Sequence, residues 1–147
     1  MAENTFQKDL KITPRSFDRR VSDRTYVDLE TTARGDLATV EGRENLVQAL
    51  INRLLTRQGE LNTLGHPRYG SRLHTLVGEP NNLRVRGLAD AYIREAIARE
   101  KRIEKVNFIR FNAPGRGDKI STLEVTLGVK PVGDEPITIF IPINLEG

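Results

Sequence analysis

The stretch 54–79 contains the side chains best suited to acid–base chemistry. Glu60, His66 and His74 all lie within it, and the 147-residue chain has two histidines in total. A general acid and a general base must meet in space and have tuned pKa values. Glu60 and His66 flank a turn, and His74 falls on a predicted short helix between two leucines, so the spacing does not bring them together. The pattern favours a turn that joins two helices over an active site.

Other catalytic and metal-binding patterns are not supported either. A glycosidase needs two carboxylates across a sugar cleft, and no acid pair is singled out by its spacing. Gly70-Ser71 lacks the G-x-S-x-G nucleophile elbow, and GRGDK at 115–119 lacks the phosphate-loop spacing. The chain has no cysteine, so a thiolate site is excluded and a zinc site would need carboxylates. We predict no catalytic residue, no metal and no cofactor.

Charge and hydropathy narrow the function classes further. The net charge is +3, but most bases lie beside acids, as in RIEK and REAIAREKR, which is typical of a solvated helix face rather than a nucleic-acid interface. The N-terminal MAENTFQKDLKITPR has no apolar core, and no run approaches the roughly 20 apolar residues of a membrane span. We therefore expect a soluble chain, not exported by the general secretory route, with no nucleic-acid partner and no membrane insertion.

The tripeptide Arg-Gly-Asp occurs at 34–36 and again at 116–118. Adhesion receptors can read this tripeptide, which would make it a recognition motif. Glycine and aspartate are also ordinary turn residues, and the turn interpretation is favoured.

Helical spacing of apolar residues predicts the elements that position the stretch 54–79. A first long helix covers about 42–57, with Gly59 as its C′ residue. A short helix follows at about 71–77, where its first residue, a serine, caps it by accepting a hydrogen bond from a free backbone N–H. A second long helix covers about 83–100 and begins after an asparagine cap at 81 or 82.

After Arg102 the apolar residues alternate, which predicts three strands. In the first strand, Val106 and Phe108 share one face while Ile109 and Phe111 share the other. A hairpin loop at 112–119 leads to the return strand. Each of the last two strands buries one alternating apolar row: Leu123, Val125, Leu127 and Val129 in the return strand, and Ile137, Ile139, Ile141 and Ile143 in the last.

The predicted fold class is α+β. Two long helices and a short helix pack on a three-stranded antiparallel sheet. This domain covers 37–147, and residues 1–36 form an extended N-terminal arm in which Tyr26–Leu29 is a short strand. The arm has scattered apolar residues and high charge, so we expect it to be mobile in isolation or ordered along a partner.

The last strand is expected at a sheet edge because Pro136 and Pro142 cannot donate to a ladder. The segment from Pro136 to Leu145 carries no charge, and charge is a usual guard against unwanted pairing. Two interpretations stay open. Either an N-terminal strand of the same chain covers this edge, or a strand of another protein does.

The segment VEGRENLVQALINRLLTRQGELNTLGHPRYGSRLHTLVGEPNN, with its flanks from about Asp36 to Val129, resembles a family of phage baseplate wedge proteins, the gene-twenty-five or tail-lysozyme-like family. The shared pattern is a helix ending in L-x-T-x-x-G-E, a loop with P-x-x-G-S, a short helix and a long helix. The motif residues here are Gly59, Glu60, Pro67, Gly70 and Ser71. Relatives serve as sheath initiators in phage tails, tailocins and extracellular contractile injection systems, and one is a type VI secretion baseplate subunit.

The resemblance implies two docking sites. Relatives carry Glu-Pro-Arg where the long helix meets the first strand, and use it to bind a helical bundle of other wedge subunits. Here the place reads Glu100-Lys101-Arg102, so lysine replaces the proline that would fix φ. The alternative for these residues is a local surface ion pair, which would contribute little.

The second implied site is the last strand, which in relatives joins strands of the first sheath ring. The candidate residues are Ile137, Ile139, Phe140, Ile141 and Ile143. The resemblance thus implies a non-enzymatic particle component, present in several copies in a symmetric assembly. Its implied partners are other wedge subunits and the sheath protein, with tube or hub proteins as further neighbours. The alternatives are a muramidase, after the family's older name, and a regulatory protein-binding adaptor.

Overall fold

The computed structural model describes residues 42–112 and 121–146, together with four short N-terminal strands. The chain divides into two compact units, Met1–Ala49 and Leu50–Gly147. Both Arg-Gly-Asp tripeptides and most of the predicted hairpin loop at 112–119 lie outside the described residues.

The first unit contains two small antiparallel sheets. Strand β1 (Asp9–Leu10) pairs with β4 (Thr39–Val40). Strand β2 (Ile12–Arg15) pairs with β3 (Tyr26–Leu29), with Ile12 opposite Leu29. The short strand predicted at Tyr26–Leu29 is confirmed. Helix α1 (Arg43–Leu55) begins in this unit, directly after Gly42, whose φ of +66° is not helical.

The end of α1 differs from the expectation. The helix stops at Leu55, before Arg57, and Gly59 is therefore not its C′ residue. The cause is a short parallel bridge between Arg57 and Ser71, in which the Ser71 N–H donates to the Thr56 carbonyl at 2.9 Å and the Gln58 N–H donates to the Ser71 carbonyl at 2.9 Å. These bonds replace the next helical turn.

Helix α2 (Leu83–Ile97) starts as the sequence indicates. The Asn82 side chain accepts a hydrogen bond from the Val85 N–H at 3.0 Å, which satisfies a donor of the first turn. The helix ends at Ile97 rather than near Glu100, and a turn follows in which the Glu100 N–H donates to the Ile97 carbonyl. Between the long helices, the predicted short helix is a 3-10 helix at Leu73–Leu76, with a second one at Asn62–Leu64.

The second unit is completed by one antiparallel sheet, and the α+β class is confirmed. The strands are β5 (Ile103–Phe111), β6 (Thr122–Pro131) and β7 (Ile137–Asn144), in the spatial order β5-β6-β7. Both helices and the two C-terminal strands supply its core, which includes Leu50, Leu54, Val85, Ala89, Ile93, Ile97, Leu123, Val125, Leu127, Val129, Ile139 and Ile141.

Strand β5 contradicts the predicted alternation. Val106 pairs with Val129, but the register shifts before Phe108, which pairs with Gly128. A β-bulge at this point adds a residue, so the side chains beyond it change faces. Val106 therefore shares the core face with Ile109 and Phe111, not with Phe108. Gly128 makes the room that Phe108 needs, since an added Cβ there would lie 2.3 Å from the Phe108 ring.

Candidate functional site

The loop that carries Gly70 and Ser71 is fastened to the end of α1. Gly70 has a φ of +99°, and an added Cβ would lie 2.6 Å from the Thr56 carbonyl oxygen, so this position requires glycine. Ser71 is buried. Its hydroxyl donates to the Leu54 carbonyl at 2.5 Å and accepts from the Leu73 N–H at 3.3 Å. The N-cap of the short helix is Arg72, not Ser71 as expected, because the helix begins at Leu73. Ser71 still accepts a backbone N–H at the start of that helix, and the same hydroxyl also bonds to α1.

The remaining loop residues form an exposed turn. Gly59 has a φ of +92°, and the Glu60 carboxylate accepts from the Arg57 N–H at 3.2 Å. Pro67 and His66 are exposed, and the His74 ring lies 3.1 Å from the Ser71 carbonyl oxygen. Among the described residues, no hydrogen bond joins Glu60 to a histidine, and no cluster of three His, Cys, Asp or Glu side chains could hold a metal. Backbone hydrogen bonds from the Glu60 N–H to the Arg57 carbonyl and from the Tyr69 N–H to the His66 carbonyl show that the stretch contains the predicted turn.

Glu100 is the centre of a buried charge cluster. One carboxylate oxygen accepts from Arg102 Nε at 2.9 Å and from the Arg102 backbone N–H at 3.3 Å. The other accepts from Arg102 Nη2 at 3.1 Å and from Arg53 Nη2 at 3.4 Å. Glu100 is 8% exposed, Arg53 15% and Arg102 22%. The local ion pair of the alternative is therefore present, but its carboxylate is buried rather than at the surface.

The electrostatics of Glu100 follow from this geometry. Burial by itself would raise the pKa of Glu100, because a desolvated carboxylate is costly. The hydrogen bonds and positive charge of Arg102, with the charge of Arg53, outweigh that effect, and the pKa of Glu100 is lowered from its ordinary value of 4.5. Glu100 therefore stays ionised and holds both guanidinium groups in place.

Two further members of the cluster were missed by the sequence analysis. The Arg53 guanidinium lies over the Tyr69 ring, 4.7 Å from its centroid, and its Nε is buried with no hydrogen-bond partner in the described part of the chain. Burial raises the pKa of Tyr69, against the opposing charge of Arg53. The available cue was that Arg53 interrupts the wide apolar face of α1. The cluster links α1, the loop before Gly70 and the α2–β5 junction.

Lys101 differs from its two neighbours in the triplet. It is exposed in the turn between α2 and β5, and this is the position where relatives carry proline. The junction is fixed instead by its backbone, since the Ile103 N–H donates to the Glu100 carbonyl at 3.1 Å. Of the three triplet residues, Lys101 therefore presents the most accessible side chain.

Strand β7 lies at the edge of the sheet, with the side chains of one face buried and those of the other face exposed. Ile137, Ile139, Ile141 and Ile143 are between 3% and 9% exposed, whereas Phe140 on the opposite face is 73% exposed. The four isoleucines belong to the core of their own unit. An incoming strand would meet the main chain of β7 and the Phe140 side chain.

The hydrogen-bonding pattern between β6 and β7 identifies which main-chain groups of β7 face away from β6. The Leu145 N–H donates to the Ser121 carbonyl at 2.8 Å, and the pairing continues as Ile143 with Leu123. Because antiparallel residues alternate between inward and outward bonding, the odd-numbered residues from 137 to 145 bond to β6. Thr138, Phe140, Pro142 and Asn144 face outward. Within the described residues, β7 pairs only with β6.

Comparison with known proteins gives a family and a fold. The model of the family described as "contractile injection system sheath initiator" matches residues 17–128. A crystal structure of a Geobacter sulfurreducens protein, described as a candidate tail lysozyme, superposes with a TM-score of 0.59 at 21% identity, covering 71% of this chain and 91% of that one. At that identity the likeness shows a shared fold alone. No curated protein matches the chain.

None of the helices in the described residues combines the length and the apolar character required to cross a membrane.

Proposed function

This chain belongs to the contractile injection system sheath initiators, and from that premise we propose that it links the baseplate core to the first ring of the sheath. The family is structural, so the chain is a structural component of a contractile system. We place it in the baseplate of a phage tail or a related particle, in several symmetric copies. Its finer role is to dock on other wedge subunits at one end and to start sheath assembly at the other.

The observation that carries this proposal is the position of β7. It is the terminal strand of its sheet, and Thr138, Phe140 and Asn144 have outward main-chain donors and acceptors. An added strand would complete the ladder through backbone bonds, which is the physical basis of strand addition. The buried isoleucine row supports this role indirectly, because it fixes the register of β7 against β6 and so holds the outward groups in place.

The sheath role is tested by removing one outward donor. In Thr138→Pro the N–H that faces away from β6 is lost, while the inward ladder and the isoleucine row are kept. Baseplates assembled with this variant should carry few or no sheaths, as counted by electron microscopy. The matched control is Thr138→Val, which changes the side chain but keeps the N–H and should support normal sheaths. Normal sheath numbers on folded Thr138→Pro protein would overturn strand addition at this edge.

We propose that the α2–β5 junction docks on the wedge subunits, with Lys101 and Arg102 on the contacting surface and Glu100 holding Arg102 in position. The support is the fixed Glu100–Arg102 geometry beside an exposed lysine. Lys101→Glu reverses an exposed charge without touching the buried cluster. Recovery of this variant with co-expressed wedge subunits should fall, whereas recovery of Lys105→Glu, a second exposed lysine nearby on β5, should not. Equal recovery of both variants and the unmodified protein would contradict docking at the junction.

We further propose that the chain is not a muramidase. Glu60 bonds to the backbone of its own turn, and the family to which the chain belongs is structural. The purified protein should leave peptidoglycan turbidity unchanged. Clearing that disappears in Glu60→Gln would establish the enzyme instead.

A further inference from the structure

Pro142 occupies one of the outward positions of β7. It pairs with Glu124 across the β6–β7 ladder, and by the alternation described above its nitrogen faces away from β6. The inward ladder therefore loses nothing from this proline. Only a strand added on the outside would miss the donor, because Pro142 offers a carbonyl there and no N–H.

Two copies of this chain would otherwise be well suited to pair with each other along β7. The segment from Pro136 to Leu145 has no charge to repel a second copy. Phe140 is 73% exposed, and a symmetric antiparallel pair centred on Phe140 would place the two rings side by side. Cross-strand aromatic pairs of this kind are stabilising.

In such a symmetric pair, the proline of each copy removes one hydrogen-bond donor from the interface. With Phe140 opposite Phe140 of the second copy, each Thr138 carbonyl lies opposite position 142 of the other copy. Both positions lack a donor, so the dimer loses two hydrogen bonds. A strand from another protein, with ordinary residues along its backbone, loses one. We propose that Pro142 makes this edge selective for a strand of another protein over a second copy of the chain.

The identity of the favoured strand as sheath rests on the proposed function, but the exclusion of self-pairing does not. A hydrogen bond of ordinary net strength corresponds to about a fivefold change in an association constant. Restoring both donors in the symmetric dimer should therefore raise its association constant by about 30-fold.

The test is the self-association of the purified full-length chain, measured by sedimentation equilibrium over a concentration series. Pro142→Thr restores the N–H with a polar side chain and should dimerise about 30-fold more tightly than the unmodified protein. Thr138→Pro combined with Pro142→Thr moves the missing donor to another outward position and should return the constant to its original value. Pro80→Thr makes the same exchange at an exposed residue outside the three strands and should change nothing.

Each other outcome counts against the proposal. Equal sedimentation of folded Pro142→Thr and the unmodified chain overturns it, as does a double variant that stays dimeric. Pro142→Val serves if the threonine variant fails to fold, and unfolding of both would show that Pro142 serves the monomer's fold instead. Because no sheath protein is present, the result is independent of sheath counts on Thr138→Pro baseplates.

Discussion

At the residue scale, Glu100 shows how burial and charge pairing oppose each other. Its carboxylate is largely desolvated yet ionised, because two guanidinium groups surround it. Removing one partner from such a cluster leaves the others buried without compensation, which costs more than the pair itself contributes. The cluster therefore serves mainly to hold the Arg53 and Arg102 guanidinium groups in position, rather than to add net stability.

Neutralising Glu100 should destabilise the chain. Glu100→Gln removes the charge that both Arg53 and Arg102 face, and because the arginines keep some contact with water, we expect a loss of about 2–3 kcal/mol. Urea unfolding at neutral pH measures it as a lower midpoint with an unchanged m-value. The exposed Glu60→Gln should differ from the unmodified chain by less than about 0.5 kcal/mol. Equal midpoints for the two variants would contradict the burial argument.

The same carboxylate predicts a dependence of stability on pH. A carboxylate whose pKa is lower in the folded chain contributes stability that is complete above its unfolded value and is lost as the pH falls through its folded value. The unfolded value is near 4.5. The stability difference between the unmodified chain and Glu100→Gln should therefore be constant above that pH and shrink below it. A difference that grew with acid would mean that the pKa is raised on folding.

Gly70 and Gly59 form a matched pair, since both have positive φ but only Gly70 lies against backbone. Gly59→Ala should cost about 1 kcal/mol for its backbone conformation. Gly70→Ala meets the Thr56 carbonyl as well and should cost about 2–4 kcal/mol. Denaturant unfolding of the two variants compares them directly, and equal costs would show that the loop can move away from α1.

At the scale of elements, the side-chain faces of two strands could be predicted from the sequence, and those of the third could not. The isoleucine row of β7 and the apolar row of β6 alternate without interruption, so their faces could be predicted. In β5 a bulge exchanges the faces beyond Val106, and alternation carries no signal for one extra residue. The predicted C-terminal end of α1 was wrong for a related reason. Its last turn is replaced by bonds to Ser71, which is distant in sequence.

Some residues of the candidate site could likewise be predicted from the sequence, and others could not. Glu100 and Arg102 are neighbours in sequence and could be nominated through the resemblance, and the edge position of β7 followed from its prolines. Arg53 and Tyr69 could not be nominated, because their contact with Glu100 depends on how α1 and the loop pack. The docking roles of the triplet and of β7 stay predictions.

The two faces of β7 should respond differently to truncation. Ile139→Ala removes a side chain that is 3% exposed and should destabilise the chain by about 2–4 kcal/mol. Phe140→Ala removes one that is largely in water and should change the unfolding free energy by less than about 1 kcal/mol. Thermal and urea unfolding measure both. A large loss in Phe140→Ala would show that its ring is packed against part of the chain.

At the scale of the whole molecule, the distribution of charge predicts how strongly salt should affect attachment to the sheath. The net charge is +3, yet the segment from Pro136 to Leu145 is uncharged. Sheath attachment through this strand should change by less than about threefold between about 50 and 200 mM salt, because backbone bonds are little screened. Attachment through many phosphate-like contacts would fall by about 10³-fold or more over that range. Sheath counts on baseplates at the two salt concentrations distinguish these cases.

Leu145, the residue that directly follows β7, is held by hydrogen bonds from two directions. The Leu145 N–H donates to Ser121 at 2.8 Å, and its carbonyl accepts from the Gly78 N–H at 2.6 Å, next to the turn that leads into α2. A tensile load along the strand axis would thus act in shear on all eight register pairs with β6 at once. Rupture in that direction requires the pairs to break together rather than in succession, so the segment resists a lengthwise pull far better than peeling from one end.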